Sequence, residues 1–201
     1  MLKPYLVAIL TNSLTMRRFL LFLVSIVLLG GSCRKSKPKS SVDQLPPETQ
    51  TGANTFGCLV NGQAFLPGGT SLTGGSLSSN YQFLNGGYYF RLAAISRNNT
   101  SAESKSIGVF TDSLKLAQGS EYTFSSVHTK GLAYALYGYS NPNTAIIDDY
   151  ETNPLISGKL TIKKLDTLNQ IVSGTFWFDA VNAQGQKAEI REGRFDVRYT
   201  R

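Results

Sequence analysis

Few side chains in this sequence have the type and spacing to do chemistry. Asp148, Asp149 and Glu151, with Asn141, Asn143 and Asn153 close by, form its densest oxygen-rich stretch. A hard cation such as calcium takes about six to eight oxygens on a bending loop, and a glycosidase needs two carboxyls at a fixed separation. The stretch lacks EF-hand spacing, and adjacent acids at a strand end ordinarily face solvent. These three are therefore weak metal candidates, and they are the residues on which a hydrolase would have to be built. His128 is the single imidazole and would have to carry any Ser-His-Asp triad, but it lies in the loop-like Ser125-Ser126-Val127-His128-Thr129-Lys130 and no G-x-S-x-G elbow exists. It is expected to be an exposed loop histidine. Cys58 shares a strand face with Phe56 and Val60, which predicts a buried, inert thiol. Tyrosines offer another chemistry. Tyr134, Tyr137 and Tyr139, among Tyr81, Tyr88, Tyr89 and Tyr150, would stack on sugar rings if exposed on one sheet face, although tyrosine also suits a half-buried pleat for packing alone. No catalytic residue and no cofactor is assigned; Tyr134, Tyr137 and Tyr139 are the ligand-binding candidates.

Composition narrows the classes. With two cysteines and one histidine in 201 residues, a zinc-finger array, a disulfide scaffold and a His-rich metal enzyme are excluded. A hydrophobic content of 41% with 11% aromatic residues suffices for one packed core. The net charge of +7 sits mostly outside that core: residues 1–32 hold +3 and residues 33–54 hold +2, leaving +2 for residues 55–201. A basic chain normally suggests nucleic acid, but charge placed in a leader and a tether gives no phosphate-tracking surface, so no nucleic-acid partner is expected.

The leader is Met16-Arg17-Arg18 followed by the apolar run Phe19 to Leu29. An apolar run of eleven residues is too short to span a bilayer and reads as the core of a secretion signal, with translation expected to begin at Met16. Gly30-Gly31-Ser32-Cys33 then resembles a bacterial lipobox, with Gly30 where leucine is usual. Small residues let an extended backbone enter the signal peptidase, and the Cys33 thiol becomes the thioether that carries the acyl chains. At about 0.8 kcal/mol per buried methylene, two or three chains hold a protein on a membrane without a spanning helix. The division expected is a signal peptide over residues 1–32, a disordered tether over 33–54 that starts at lipidated Cys33, and a folded domain over 55–201. Residues 34–54, rich in Ser, Pro, Lys and Thr, have no apolar period with which to order themselves.

From Thr55 the pattern has period two. Tyr88, Phe90, Leu92 and Ala94 share one face; Leu160 and Ile162 alternate with lysines and Thr161; Phe176 and Phe178 alternate with Thr175, Trp177 and Asp179. Asn182-Ala183-Gln184-Gly185-Gln186 predicts a hairpin turn into Lys187–Ile190. The apolar phase then shifts from Ala188 and Ile190 to Phe195, Val197 and Tyr199, which predicts a β-bulge at Glu192-Gly193 with Gly193 as its permissive residue. Further strands are expected at 56–60, 63–66, 107–111, 121–124, 132–139 and 145–150. About nine or ten short strands make an all-β, antiparallel β-sandwich, with a closed barrel as the alternative.

The segments Phe56-Gly57-Cys58-Leu59-Val60-Asn61-Gly62-Gln63-Ala64-Phe65, Ser157-Gly158-Lys159-Leu160-Thr161-Ile162, Ile171-Val172-Ser173-Gly174-Thr175-Phe176-Trp177-Phe178 and Glu192-Gly193-Arg194-Phe195-Asp196-Val197 resemble a group of Bacteroidota envelope lipoproteins, each a lipobox signal followed by one β-sandwich of unknown function. The resemblance implies a location, the outer membrane, and a fold; it brings no catalytic residues. Surface-exported members carry acids after the cysteine, so Arg34, Lys35 and Lys37 favour the periplasmic leaflet. Asp112-Ser113-Leu114 and Asp166-Thr167-Leu168 resemble that group's short O-glycosylation pattern. The function expected is a non-enzymatic binding or scaffolding domain held on the membrane through acyl chains on Cys33. Its alternatives are a glycan-capture accessory protein using exposed tyrosines, and an envelope polysaccharide hydrolase using Asp148, Asp149 or Glu151.

Overall fold

The computed structural model describes residues 40–69 and 75–201. The expected signal peptide, Cys33 and the first residues of the tether lie outside the described residues. Among the described residues, apart from one 3-10 turn at Val42–Gln44, the regular structure is eleven strands: β1 Thr55–Val60, β2 Gln63–Phe65, β3 Leu77–Leu84, β4 Gly87–Arg97, β5 Ser104–Thr111, β6 Glu121–Thr123, β7 Ala133–Asn141, β8 Ile146–Glu151, β9 Gly158–Asp166, β10 Ile171–Val181 and β11 Lys187–Arg198. Every ladder between named strands is antiparallel.

The sheet curls over on itself. One layer runs β2-β1-β11-β10-β9-β6 and the other β8-β7-β5-β4-β3. They join along two thin seams. On one side Val181 meets Glu151 in a single bridge. On the other the chain beyond β11 is stitched to β3, Tyr81 N donating to Thr200 O at 2.9 Å and Thr200 N to Ser79 O at 3.0 Å. The interior is filled by side chains from both layers. Phe90 of β4 meets Phe195 of β11 at 6.1 Å between ring centroids although their strands share no ladder, and Leu92, Ile107, Val109, Leu160, Ile162, Phe178 and Ile190 are all within 1% of complete burial. Each side chain of this size stabilises the fold by about 1.5–3 kcal/mol relative to leaving it in water. The architecture is thus the expected antiparallel β-sandwich, with barrel-like stitching at its edges.

Strand β3 escapes the period-two pattern. Its inward phase runs Leu77, Ser79 and Tyr81, in register with Ala94, Leu92 and Phe90; Ser79 interrupts the apolar series, and Phe83, next in the same phase opposite Tyr88, lies beside the turn with 63% of its surface exposed. Asn85-Gly86, both at positive φ (50° and 82°), makes the tight two-residue turn back into β4 that matches the twist of the strands.

Residues 40–54 correct the expected tether. The compact unit begins at Lys39, and this segment is pinned to the sheet by the Asp196 carboxylate. Oδ1 accepts from Gly52 N at 2.8 Å; Oδ2 accepts from Thr49 Oγ1 at 2.7 Å, Thr51 N at 2.9 Å and Ala53 N at 3.1 Å. A Ser, Pro and Thr-rich stretch with no apolar period is ordered by charge-assisted hydrogen bonds and by the buried Leu45.

The bulge lies where the phase change predicts it. Phe176 faces Gly193 while Phe178 faces Ile190, so Arg191 and Glu192 together oppose Trp177. The permissive residue is not Gly193, however. Glu192 takes the left-handed conformation, φ 54°, and Gly193 is needed for space: a Cβ there would lie 2.5 Å from Phe176 O and 2.6 Å from its ring.

Candidate functional site

The alternation that buries Phe176 (3% exposed) and Phe178 (0%) turns Thr175 and Trp177 outward, and Trp177 keeps 38% of its surface in water. Around it lies a recess of about 450 Å³ on the outer face of β6-β9-β10-β11. Register sets its rows: Glu121, Thr161, Thr175 and Arg194 stand side by side across the four strands, and Lys159 stands beside Trp177. The bulge brings Arg191 over the indole, guanidinium carbon 5.5 Å from the ring centroid. Arg191 is fixed there by donating to Phe178 O at 3.0 Å and Ile190 O at 2.9 Å and by its ion pair with Asp179.

Each cation lining the recess has a carboxylate. Lys159 meets Glu121 at 2.8 Å, Lys163 pairs with Glu48, and Arg194 meets Glu192 at 3.1 Å. The Lys159 hydrogen bond holds the Glu121 carboxyl below the ordinary range. Glu48 belongs to the pinned segment, so that segment forms one wall of the recess. The result is a flat aromatic ring bordered by donors and acceptors and locally balanced in charge. Such a surface stacks on the C–H face of a sugar ring while hydrogen-bonding its hydroxyls, and it offers no surplus of positive charge to attract a polyanion.

The tyrosines expected to form an exposed platform do not form one. Tyr134 and Tyr137 are 8% and 7% exposed and, an odd number of residues apart on β7, face opposite sides of the sheet. Tyr134 stacks on Phe110 at 5.1 Å. Tyr137 packs against Tyr150 at 5.3 Å, and burial pushes its hydroxyl up to about 12. Tyr139, on the Tyr137 side, is half-buried and donates to Glu103 Oε1 at 3.0 Å.

The acidic trio is split as well. All three lie on β8, where Asp148 points to the side opposite Asp149 and Glu151. The latter two line a recess of about 630 Å³ with Asn153, Val181 and Asn182. Among the described residues no three His, Cys, Asp or Glu side chains gather to hold a metal ion. His128 is exposed on its loop beside Tyr134, ring centroids 5.3 Å apart. Cys58 is fully buried, and desolvation pushes its thiol up, as expected of an inert core cysteine. Ser113 and Thr167 both sit at turns.

Trp177 is the candidate site residue that motif reasoning passes over. Its signal is nonetheless present: the one tryptophan of the chain occupies the outward phase between two inward phenylalanines. No protein family, curated protein or solved structure matches the chain.

Proposed function

We propose that this protein is a lipid-anchored envelope protein whose head is a non-enzymatic binding module, and that it holds a neutral glycan on the Trp177 face. The observation that carries the reading is the half-exposed indole, clamped by Arg191 and bordered by paired charges and threonine hydroxyls. This moves glycan capture from the β7 tyrosines to the opposite layer. Anchoring through Cys33 fits such a role. With the compact unit starting at Lys39, the intervening chain reaches at most about 20 Å, so the head stays close to the bilayer and samples glycans there.

Because Trp177 is the one tryptophan, its fluorescence reports the site directly. Titration with neutral envelope polysaccharides is expected to shift its emission saturably. In Trp177→Ala, affinity measured by calorimetry is expected to fall about tenfold or more, the equivalent of losing one aromatic stack with its buried area. A full panel of neutral and acidic glycans that produces neither a spectral change nor heat would remove the reading. Sugar release that vanishes in Asp149→Asn would instead favour a hydrolase at the Asp149 and Glu151 recess, where two carboxyls share a cleft.

For the anchor, Cys33→Ala in the full chain is expected to abolish fatty-acid labelling and membrane retention. Labelling unchanged in that variant would show that the acyl chains are elsewhere or absent.

A further inference from the structure

Turns are ordinarily polar, yet two turns at one end of this sandwich carry large exposed apolar side chains. Phe83 and Leu84, at the β3–β4 turn, are 63% and 51% exposed, and Leu168, in the β9–β10 turn, is 91% exposed. The two tips share an end: Phe83 and Thr167 line one recess of about 560 Å³ together with Tyr81, Tyr88, Tyr199 and Arg201. Its tyrosines form a cluster, with Tyr88 stacked on Tyr81 at 5.5 Å and against Phe83 at 4.9 Å.

Cations rim this end. The Lys115 ammonium sits 5.5 Å over the Tyr88 ring, Arg201 donates to Thr167 O, and Arg198 donates to Asn169 O at 3.2 Å. Asp166 is engaged by its own turn, accepting from Leu168 N at 3.1 Å, Asn169 N at 2.9 Å and Asn169 Nδ2 at 2.9 Å. We propose that this end is a lipid-surface contact: Phe83, Leu84 and Leu168 enter the headgroup layer of an anionic bilayer, while Lys115, Arg198 and Arg201 meet its phosphates.

The occupant follows from the shape and the charge. Single apolar side chains on separate turns make no continuous groove for a helix. An added peptide strand needs a long open edge, and Thr200 already occupies the β3 edge at Ser79–Tyr81, which leaves only the last three residues of the strand. A small apolar ligand in the recess would leave Leu84 and Leu168 in water. A bilayer interface accepts separated apolar tips, amphipathic tyrosines and basic side chains at once. The contact needs no acyl chain, and it stands or falls apart from lipidation at Cys33 and glycan binding at Trp177.

The test is co-sedimentation of a chain of residues 39–201, which holds the whole core, with vesicles of equal parts phosphatidylcholine and phosphatidylglycerol. The wild-type chain is expected to bind these vesicles, to bind pure phosphatidylcholine more weakly, and to release as salt rises. In Phe83→Ser with Leu168→Ser the partition coefficient is expected to fall about tenfold or more, with cooperative unfolding and Trp177 emission unchanged because the replaced groups are exposed. In Lys115→Glu with Arg201→Glu the preference for anionic vesicles is expected to disappear. A wild-type chain that stays in the supernatant with anionic vesicles, or an apolar double variant that partitions as the wild type does, would overturn the proposal.

Discussion

Asp196→Ala is expected to lower the unfolding free energy by about 3–5 kcal/mol, read from urea denaturation. Asp196 is 1% exposed, and its carboxylate collects the amides of Thr51, Gly52 and Ala53 and the hydroxyl of Thr49. Truncation removes the acceptor that these four donors share with the Thr51 hydroxyl (3.3 Å) and frees the segment that carries Glu48, so the wall of the Trp177 recess is lost with it. A protease is then expected to cut within residues 45–54, which the wild-type head protects.

Acid should have a related effect. Burial by itself would raise the Asp196 pKa, but the bonds from Thr49, Thr51, Ala53 and Gly52 outweigh it and hold the carboxyl below the ordinary aspartate value. A group with a depressed folded pKa contributes its full stability above the unfolded value, near pH 4, and loses it as pH falls toward the folded value. The wild-type head is therefore expected to weaken below about pH 4, and Asp196→Ala to lack that component of the acid slope. A variant within about half a kcal/mol of wild type, with an identical slope, would show that the cluster contributes nothing.

The second large effect is expected at the bulge. In Gly193→Ala the new methyl meets the Phe176 carbonyl at 2.5 Å and its ring at 2.6 Å, and a backbone oxygen inside a paired ladder cannot step aside cheaply. A loss of about 2–4 kcal/mol is expected, with a shift in Trp177 emission because the displaced strand carries Arg191 over the indole. Glu192→Gly should behave differently. It relieves a left-handed glutamate, worth about 1 kcal/mol, and gives up only the partly exposed ion pair with Arg194, so stability is expected to hold or rise slightly. If Gly193→Ala melts like the wild type with unchanged emission, the close approach to Phe176 is not what requires glycine.

Much of the fold was legible because a strand writes its burial into the sequence every second residue. Phe176 and Phe178 against Trp177, Ala188 and Ile190 against Phe195 and Val197, and the Asn182–Gln186 turn are local patterns, and they sufficed for an all-β sandwich, for ten of its strands and for the place of the bulge. Strand β3 was not legible, since Ser79 at an inward position breaks its period and Thr200, more than a hundred residues away, completes its edge.

The site was legible in part only. Alternation alone places Trp177 outward, but the ladders that put Glu121, Thr161, Thr175 and Arg194 in one row are pairings between distant strands. A run of tyrosines on β7 does not announce that Tyr137 will be buried under Tyr150 while Tyr134 is covered by Phe110. The amino-acid sequence by itself determined the all-strand class and the turns, because each depends on residues that are neighbours along the chain. Only the tertiary structure decided that residues 40–54 belong to the head, which tyrosines are covered, and which face keeps an aromatic ring in water. Those outcomes depend on Asp196, Phe110, Tyr150 and Arg191, which lie next to their partners only once the chain has folded.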